Sequence, residues 1–363
     1  HAVRVSGAYT LPTADGSANQ VLTTNGSGAL SFAAAGGGGG NPDLYSDSAN
    51  ASAVTPTSNA GGSYNSVAIG NGADIGSGRG DSIAIGTDAL TNQSQALAIG
   101  RSATVNSSGT WGTAVGRNSV VNGQSAVALG NSYSAGTDSL AAVIDTNSSS
   151  YGATSANSIA MGRNAKARDT RGVAIGYNTD VFGYGGVAIG NDCYVDMGYS
   201  VAMGNYARTH SRYGAFMYAN GYFVNAGDAQ TGIMVLRKAT TDATPSALTS
   251  TGGAASSVTQ LVLKNESAIT FTGTVVCRED ATDGDDYAGW EIKGVIMRQG
   301  AAADTTLGVG IVNNLYHTAG LANASVALSA DTTNGALKVE VTGIAATNLH
   351  WVATLNFSEV ENS

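Results

Sequence analysis

The chain has 363 residues and a formal net charge of −9, with 12% charged residues, 50 glycines and 4 prolines. That composition excludes a disordered polyelectrolyte, and the negative balance argues against nucleic acid as a main partner. No apolar run approaches the ~18 residues of a membrane helix, so the chain reads as β-rich and turn-dense, long enough for two or three domains.

Residues 1–40 alternate short extended pieces with turn signals at Asp15-Gly16 and Asn25-Gly26. A segment this short cannot bury a core of its own, and five consecutive glycines at 36–40 read as a flexible linker. It is taken as an extended attachment segment. Residues 41–63 are polar and loop-like and are expected to cap the first unit of a repeat that begins near residue 64.

Over residues 41–227 a short phrase keeps returning, as in Ser66-Val-Ala-Ile-Gly, Ser82-Ile-Ala-Ile-Gly and Gly172-Val-Ala-Ile-Gly. The steps between its closing glycines are 16, 14, 16, 14, 32, 14, 14 and 14 residues. The longest step contains a worn copy, Ser139-Leu-Ala-Ala-Val. Self-similarity at a fixed period means stacked units, each too small to bury its own apolar face. Three or four residues closed by Gly are too few for a helix, and β-branched residues favour a pleat. A second, weaker strand recurs in each unit, as in Ala73-Asp-Ile and Cys193-Tyr-Val. One coil is therefore two short strands and two turns in 14 residues. The two-residue insertions are even, which would preserve the face that each apolar set occupies.

Alternation puts Val67 and Ile69 on one face and Ala68 on the other. On this reading Val and Ile fill a thin interior. The alanines Ala68, Ala84, Ala98, Ala114, Ala128, Ala160, Ala174, Ala188 and Ala202 then form an unbroken column on the opposite face. Such a ladder of small residues is expected to let another backbone approach closely, in a closed homo-oligomer and most simply a homotrimer. The alternative is a roll whose alanine face is covered by its own second strands.

The phrase Ser-Val-Ala-Ile-Gly-x-x-Ala-x-Ala/Val at this period resembles the head repeat of YadA-type trimeric adhesins, over residues 66–218. The resemblance implies a left-handed parallel β-roll in a homotrimer. The wording of residues 7–32 resembles a module of bacteriophage tail fibres and tail spikes.

Eleven Tyr and Phe crowd residues 177–223. They read either as the covering of the roll's end or as an aromatic surface for sugars or a receptor. Arg163, Lys166, Arg168 and Arg171, with Arg208, His210 and Arg212 further on, sit at turns. They form either a solvated loop face or a contact for anionic glycans.

Beyond residue 228 the repeat stops. Seven or eight alternating strand patterns, with no helical stretch, describe an antiparallel β-sandwich or jelly roll over 228–363. Phrases such as His350-Trp-Val-Ala-Thr resemble C-terminal domains of phage tail fibres. This domain is the expected receptor-binding tip, with Asp283, Asp285, Asp286, Tyr287, Tyr316 and His317 as candidate contacts.

No nucleophile elbow, Cys-x-x-Cys pair, Walker loop or His-x-x-x-His spacing occurs, so the sequence reads as a non-enzyme without cofactor or metal. The acidic knot at 279–286 lacks EF-hand spacing. Cys193 stands where other coils carry Ala, and a disulfide framework is not expected. The chain is thus read as an all-β structural and adhesive subunit of a phage tail fibre or spike, extracellular on the virion. Its expected partners are its own copies, a host glycan such as lipopolysaccharide or an outer-membrane protein, and tail or baseplate proteins through the N-terminus. The alternative is a passenger fragment of a bacterial trimeric autotransporter adhesin. The absence of sustained heptads in this sequence favours the phage reading.

Overall fold

The computed structural model describes residues 4–5, 9–12, 14, 16–17, 20–34, 65–144, 150–280 and 284–362. The chain forms two compact units, residues 1–55 and 56–363. In the first, Gln20–Thr24 pairs antiparallel with Leu30–Ala34. The Asn25 side-chain oxygen closes that hairpin by accepting from the amides of Ser27 and Ala29 at 2.9 and 3.1 Å, the short-range chemistry that suits Asn to turns. Asp15 of the other expected turn, the 36–40 linker and the expected cap at 41–63 lie outside the described residues.

In the second unit, the first strands of successive coils stack in parallel from Val67–Ile69 to Val201–Asn205, followed by Ala215–Asn220. They supply eleven strands of a 16-stranded sheet. The two-residue second strands, Asp74–Ile75 to Tyr194–Val195, make a separate nine-stranded sheet. The worn copy is a coil like the others: Val127 pairs with Leu140 and Leu140 with Ile159. Those steps are 13 and 19 residues, both odd, and Ala128, Ala141 and Ala160 still align. Turns absorb the extra length, so even insertions are not what keeps the register.

The two faces of the first strand are reversed relative to the sequence expectation. All nine alanines of the column are buried inside the single chain, at 0–5% exposure. They pack with residues of the second strands such as Ile75, Val105, Val121, Val181 and Val195. Val67, Ile83, Leu129 and Met161 instead lie exposed on the outer side. The reason is thickness. Two strand layers joined by tight turns leave room for Ala on one layer against Val or Ile on the other, so the bulky first-strand residues have only the outer side to occupy. Close stacking also explains the closing glycines: Gly176 has φ +125°, and a Cβ there would sit 1.9 Å from the Gly190 carbonyl oxygen of the next coil.

Ala215–Asn220 then pairs antiparallel with Ala229–Thr240, and the 16-stranded sheet continues without a break. Leu349–Glu361, Ser267–Glu279, Tyr287–Arg298 and Thr306–His317 follow in that order. A second, four-stranded sheet faces one side of these strands. Between them lies a core that includes Leu236, Phe271, Ile292, Leu337, Val339 and Leu355. In the same core the Trp290 and Trp351 rings stack with centroids 5.5 Å apart. This is an antiparallel two-sheet sandwich, with its larger sheet shared with the roll. The Thr306–His317 strand escapes sequence reading, because its glycines and asparagines break the alternation and two bulges shift its register. Among the described residues no helix is long and apolar enough to cross a membrane.

Candidate functional site

Three side-chain groupings carry chemistry. The first lies at one end of the C-terminal sheet, where the start of Tyr287–Arg298 meets the end of Thr306–His317. The Tyr287 and Tyr316 rings lie 5.3 Å apart at 30°, each about half exposed. Tyr287 beside it raises the Tyr316 phenol above its ordinary value. The Thr318 hydroxyl accepts from the Tyr287 amide at 3.1 Å and ties the two strand ends together. His317 and Asp285 are exposed, and the Asp286 carboxylate presses on Gly320. Five of the six expected contacts therefore share one rim, and Asp283 lies outside the described residues.

The second grouping runs along the roll. The Lys166 and Arg168 side chains meet Asp180 at 3.5 and 2.9 Å. Burial raises the Asp180 carboxyl, with both cations pulling the other way. Arg168 lies 4.5 Å from the Phe182 ring centre, Arg163 covers Tyr177 and Arg171 covers Tyr184. Tyr184, Tyr199 and Tyr213 form an edge-to-face ladder at 5.4 and 5.6 Å, rising from coil to coil. The aromatics thus run along the roll, stacked between coils and under cations, rather than only covering its end. Each such pair contributes about 0.5–1.5 kcal/mol.

The third grouping was not visible in the sequence. Arg212 is fully buried and donates to both oxygens of Glu359, with Nη1 to Oε2 at 2.7 Å, and through Nε to the Val262 carbonyl at 2.7 Å. Gln230 also donates to Glu359, at 3.0 Å. The His210 ring nitrogen Nδ1 lies 2.8 Å from Glu361 and 3.6 Å from Glu359. Burial would push the Glu359 carboxyl up, but the Arg212 charge and its two hydrogen bonds hold it far below the usual carboxylate range. Burial would lower His210, yet hydrogen bonds to the two glutamates win and raise it. His210, Glu359 and Glu361 are metal-ligating types within 4.8 Å of one another. Glu359 is already engaged by Arg212 and Gln230, and the guanidinium supplies its cation, so the group is held by ion pairing and hydrogen bonds rather than arranged around a metal. Burial removes Arg212 from any glycan-facing surface, the His210 side chain is only 9% exposed and turned to Glu361, and Arg208 is paired to Asp192 at 2.7 Å.

Cys193 fills an alanine position, its Sγ 3.3 Å from the Gly204 carbonyl oxygen. Both cysteines are free and buried, and burial pushes the Cys277 thiol up to about 12.

A family model described as the YadA head domain repeat matches residues 80–103, 107–132 and 153–179. No curated protein sequence matches the chain. Among solved structures, the chain resembles the gp49 tailspike of Acinetobacter baumannii bacteriophage Fri1, a capsular polysaccharide depolymerase. The match has 11% identity and a TM-score of 0.24, covering 78% of this chain and 45% of that one. It also resembles the tailspike protein of Acinetobacter baumannii phage AM24, at 9% identity and a TM-score of 0.21, covering 83% and 55%. The chain spans about half the length of these tailspikes. Likeness at this level carries no argument for a shared activity. Because the Fri1 tailspike is an enzyme, however, the expectation that this chain is not one is withdrawn. What the comparisons place within this all-β chain is a set of YadA head repeats, inside the solenoid.

Proposed function

We propose that the chain is the attachment subunit of a phage tail fibre or spike, a homotrimer on the virion that binds a polysaccharide of the host surface. The observation that carries the reading is the roll of YadA head repeats with its outer side lined by Val, Ile, Leu and Met. A monomer seldom exposes so long an apolar surface, and copies of the chain would cover it. The Ala column has no part in that contact. The rim of Asp285, Asp286, Tyr287, Tyr316 and His317 is the proposed glycan contact, since Tyr rings offer flat apolar faces and the carboxylates and imidazole offer hydrogen bonds to sugar hydroxyls. Three weak sites on one fibre, and several fibres on one particle, give firm attachment by raising effective concentration.

The test is binding of fluorescently labelled full-length protein to a panel of bacteria and to extracellular-matrix proteins, with Tyr287→Ala and Tyr316→Ala alongside. Truncation near residue 228 is avoided because it would cut the shared sheet and expose Arg212. Binding confined to a few bacterial strains, lost in the Tyr variants, supports the reading. Binding to matrix that ignores both Tyr residues would overturn it in favour of a bacterial adhesin fragment. Incubation with purified capsule from any bound strain, read by release of reducing ends, reports cleavage in the same experiment.

A further inference from the structure

The outer side of the 16-stranded sheet does not end with the roll. In register, Val201 stands beside Phe216, Phe216 beside Ile233, and Ile233 beside Asn356. One row over, Met203, Tyr218, Thr231 and Ser358 succeed one another in the same way. All the residues of these two rows have their side chains on the face opposite the sandwich core. Each row continues across the last strands, to Ile311 and to Val309 respectively.

Along the C-terminal strands this outer face is apolar or neutral. Val235, Val276 and Val352 are 51%, 52% and 43% exposed on it. The residues between them on the three strands next to the roll are Thr, Ser, Asn and Ile. Charge enters as Arg237, Arg278 and His350 at one end and as the Lys293–Glu291 pair at 3.6 Å, with Lys293 in the first row between Thr272 and Ile311. The five strands are 12 or 13 residues long. At about 4.8 Å between strands and about 3.4 Å per residue, they present roughly 1,000 Å² on this side. That exceeds the ~800 Å² per partner of a standard protein interface.

We infer that this outer face of the C-terminal sheet packs against further copies of the same chain, so that contact between copies runs from the roll to the last strands. The inference rests on the homotrimer reading. A second copy is the occupant because the face continues, row by row, the surface that the roll presents to its copies. On the three strands next to the roll its middle carries no charged side chain, so an anionic glycan would find no ionic partner there. The host contact is then left to one end of this same face, where the Tyr287 and Tyr316 rings stand at the row of Arg278 and His350.

The test uses single cysteine variants of the full-length protein, in which native Cys193 and Cys277 are buried. Ser358→Cys probes the C-terminal face, Ile175→Cys the outer side of the roll, and Ser329→Cys the exposed small sheet. Maleimide labelling under native conditions is read for each, and mild oxidation is followed on denaturing gels. Loss of labelling at Ser358→Cys relative to Ser329→Cys, with or without covalent dimers, is the expected result. If Ser358→Cys labels as fast as Ser329→Cys while Ile175→Cys is protected, the inference is overturned and the homotrimer stands. If all three label freely, both fall. Thr272→Cys, on the neighbouring strand of the same row as Asn356, repeats the test should Ser358→Cys fail to fold.

Discussion

Arg212 and Glu359 are 147 residues apart in sequence, fully buried, and joined by two hydrogen bonds at the point where the last coil meets the final strand. Nothing near either residue in sequence announces the pair. It fastens the end of the roll to the sandwich with directional contacts, where the alanine-lined interior of the coils has little area to contribute.

Removing one partner leaves the other as an uncompensated buried charge, which costs about 3–5 kcal/mol. Arg212→Ala is therefore expected to lower unfolding stability by that order in a denaturant titration. The Arg212→Leu/Glu359→Leu double variant should recover most of the loss, because it leaves no buried charge unpaired.

His210 sets a pH dependence. Its folded value is raised above the ordinary 6.5, so the stability it contributes is fully present below that value and is lost as pH rises through the raised one. The depressed Glu359 works in the opposite direction, present above the ordinary 4.5 and lost only in strong acid. The melting temperature of the protein should fall as pH rises above 6.5 through the raised His210 value, and His210→Gln should flatten that slope.

Ala174 and Ile175 are adjacent and point to opposite sides of one strand, so their substitutions should separate folding from assembly. Ala174→Leu overfills the coil interior and should cost about 1–3 kcal/mol in the individual chain. Ile175→Asp should leave the chain folded by circular dichroism and reduce its mass in light scattering from that of the assembly to that of a monomer.

Gly176→Ala places a methyl group against the Gly190 carbonyl, in a backbone conformation that L side chains rarely adopt. Backbone must move in two coils, and a loss of about 2–4 kcal/mol in thermal unfolding is expected. Gly26→Ala, at a hairpin turn with open space around it, should cost about 1 kcal/mol.

The sequence by itself determined the solenoid, its coil, the worn copy at Leu140 and most strands of the sandwich, because a fixed period and a two-residue alternation are local signals that chain neighbours carry. It could not decide which face of Val67-Ala68-Ile69 is inside. Alternation separates two faces without naming them, and only the spacing of the two strand layers shows that Ala fits within and Val and Ile do not. The strand bearing Tyr316 was hidden for a related reason: an edge strand with bulges is held by its partner's hydrogen bonds, not by a pattern of its own. The union of roll and sandwich in one sheet, and the meeting of Arg212, His210, Glu359 and Glu361, also belonged to the tertiary structure. Buried charges are brought together by chain segments far apart in sequence, where neither composition nor spacing records the distance that makes them partners.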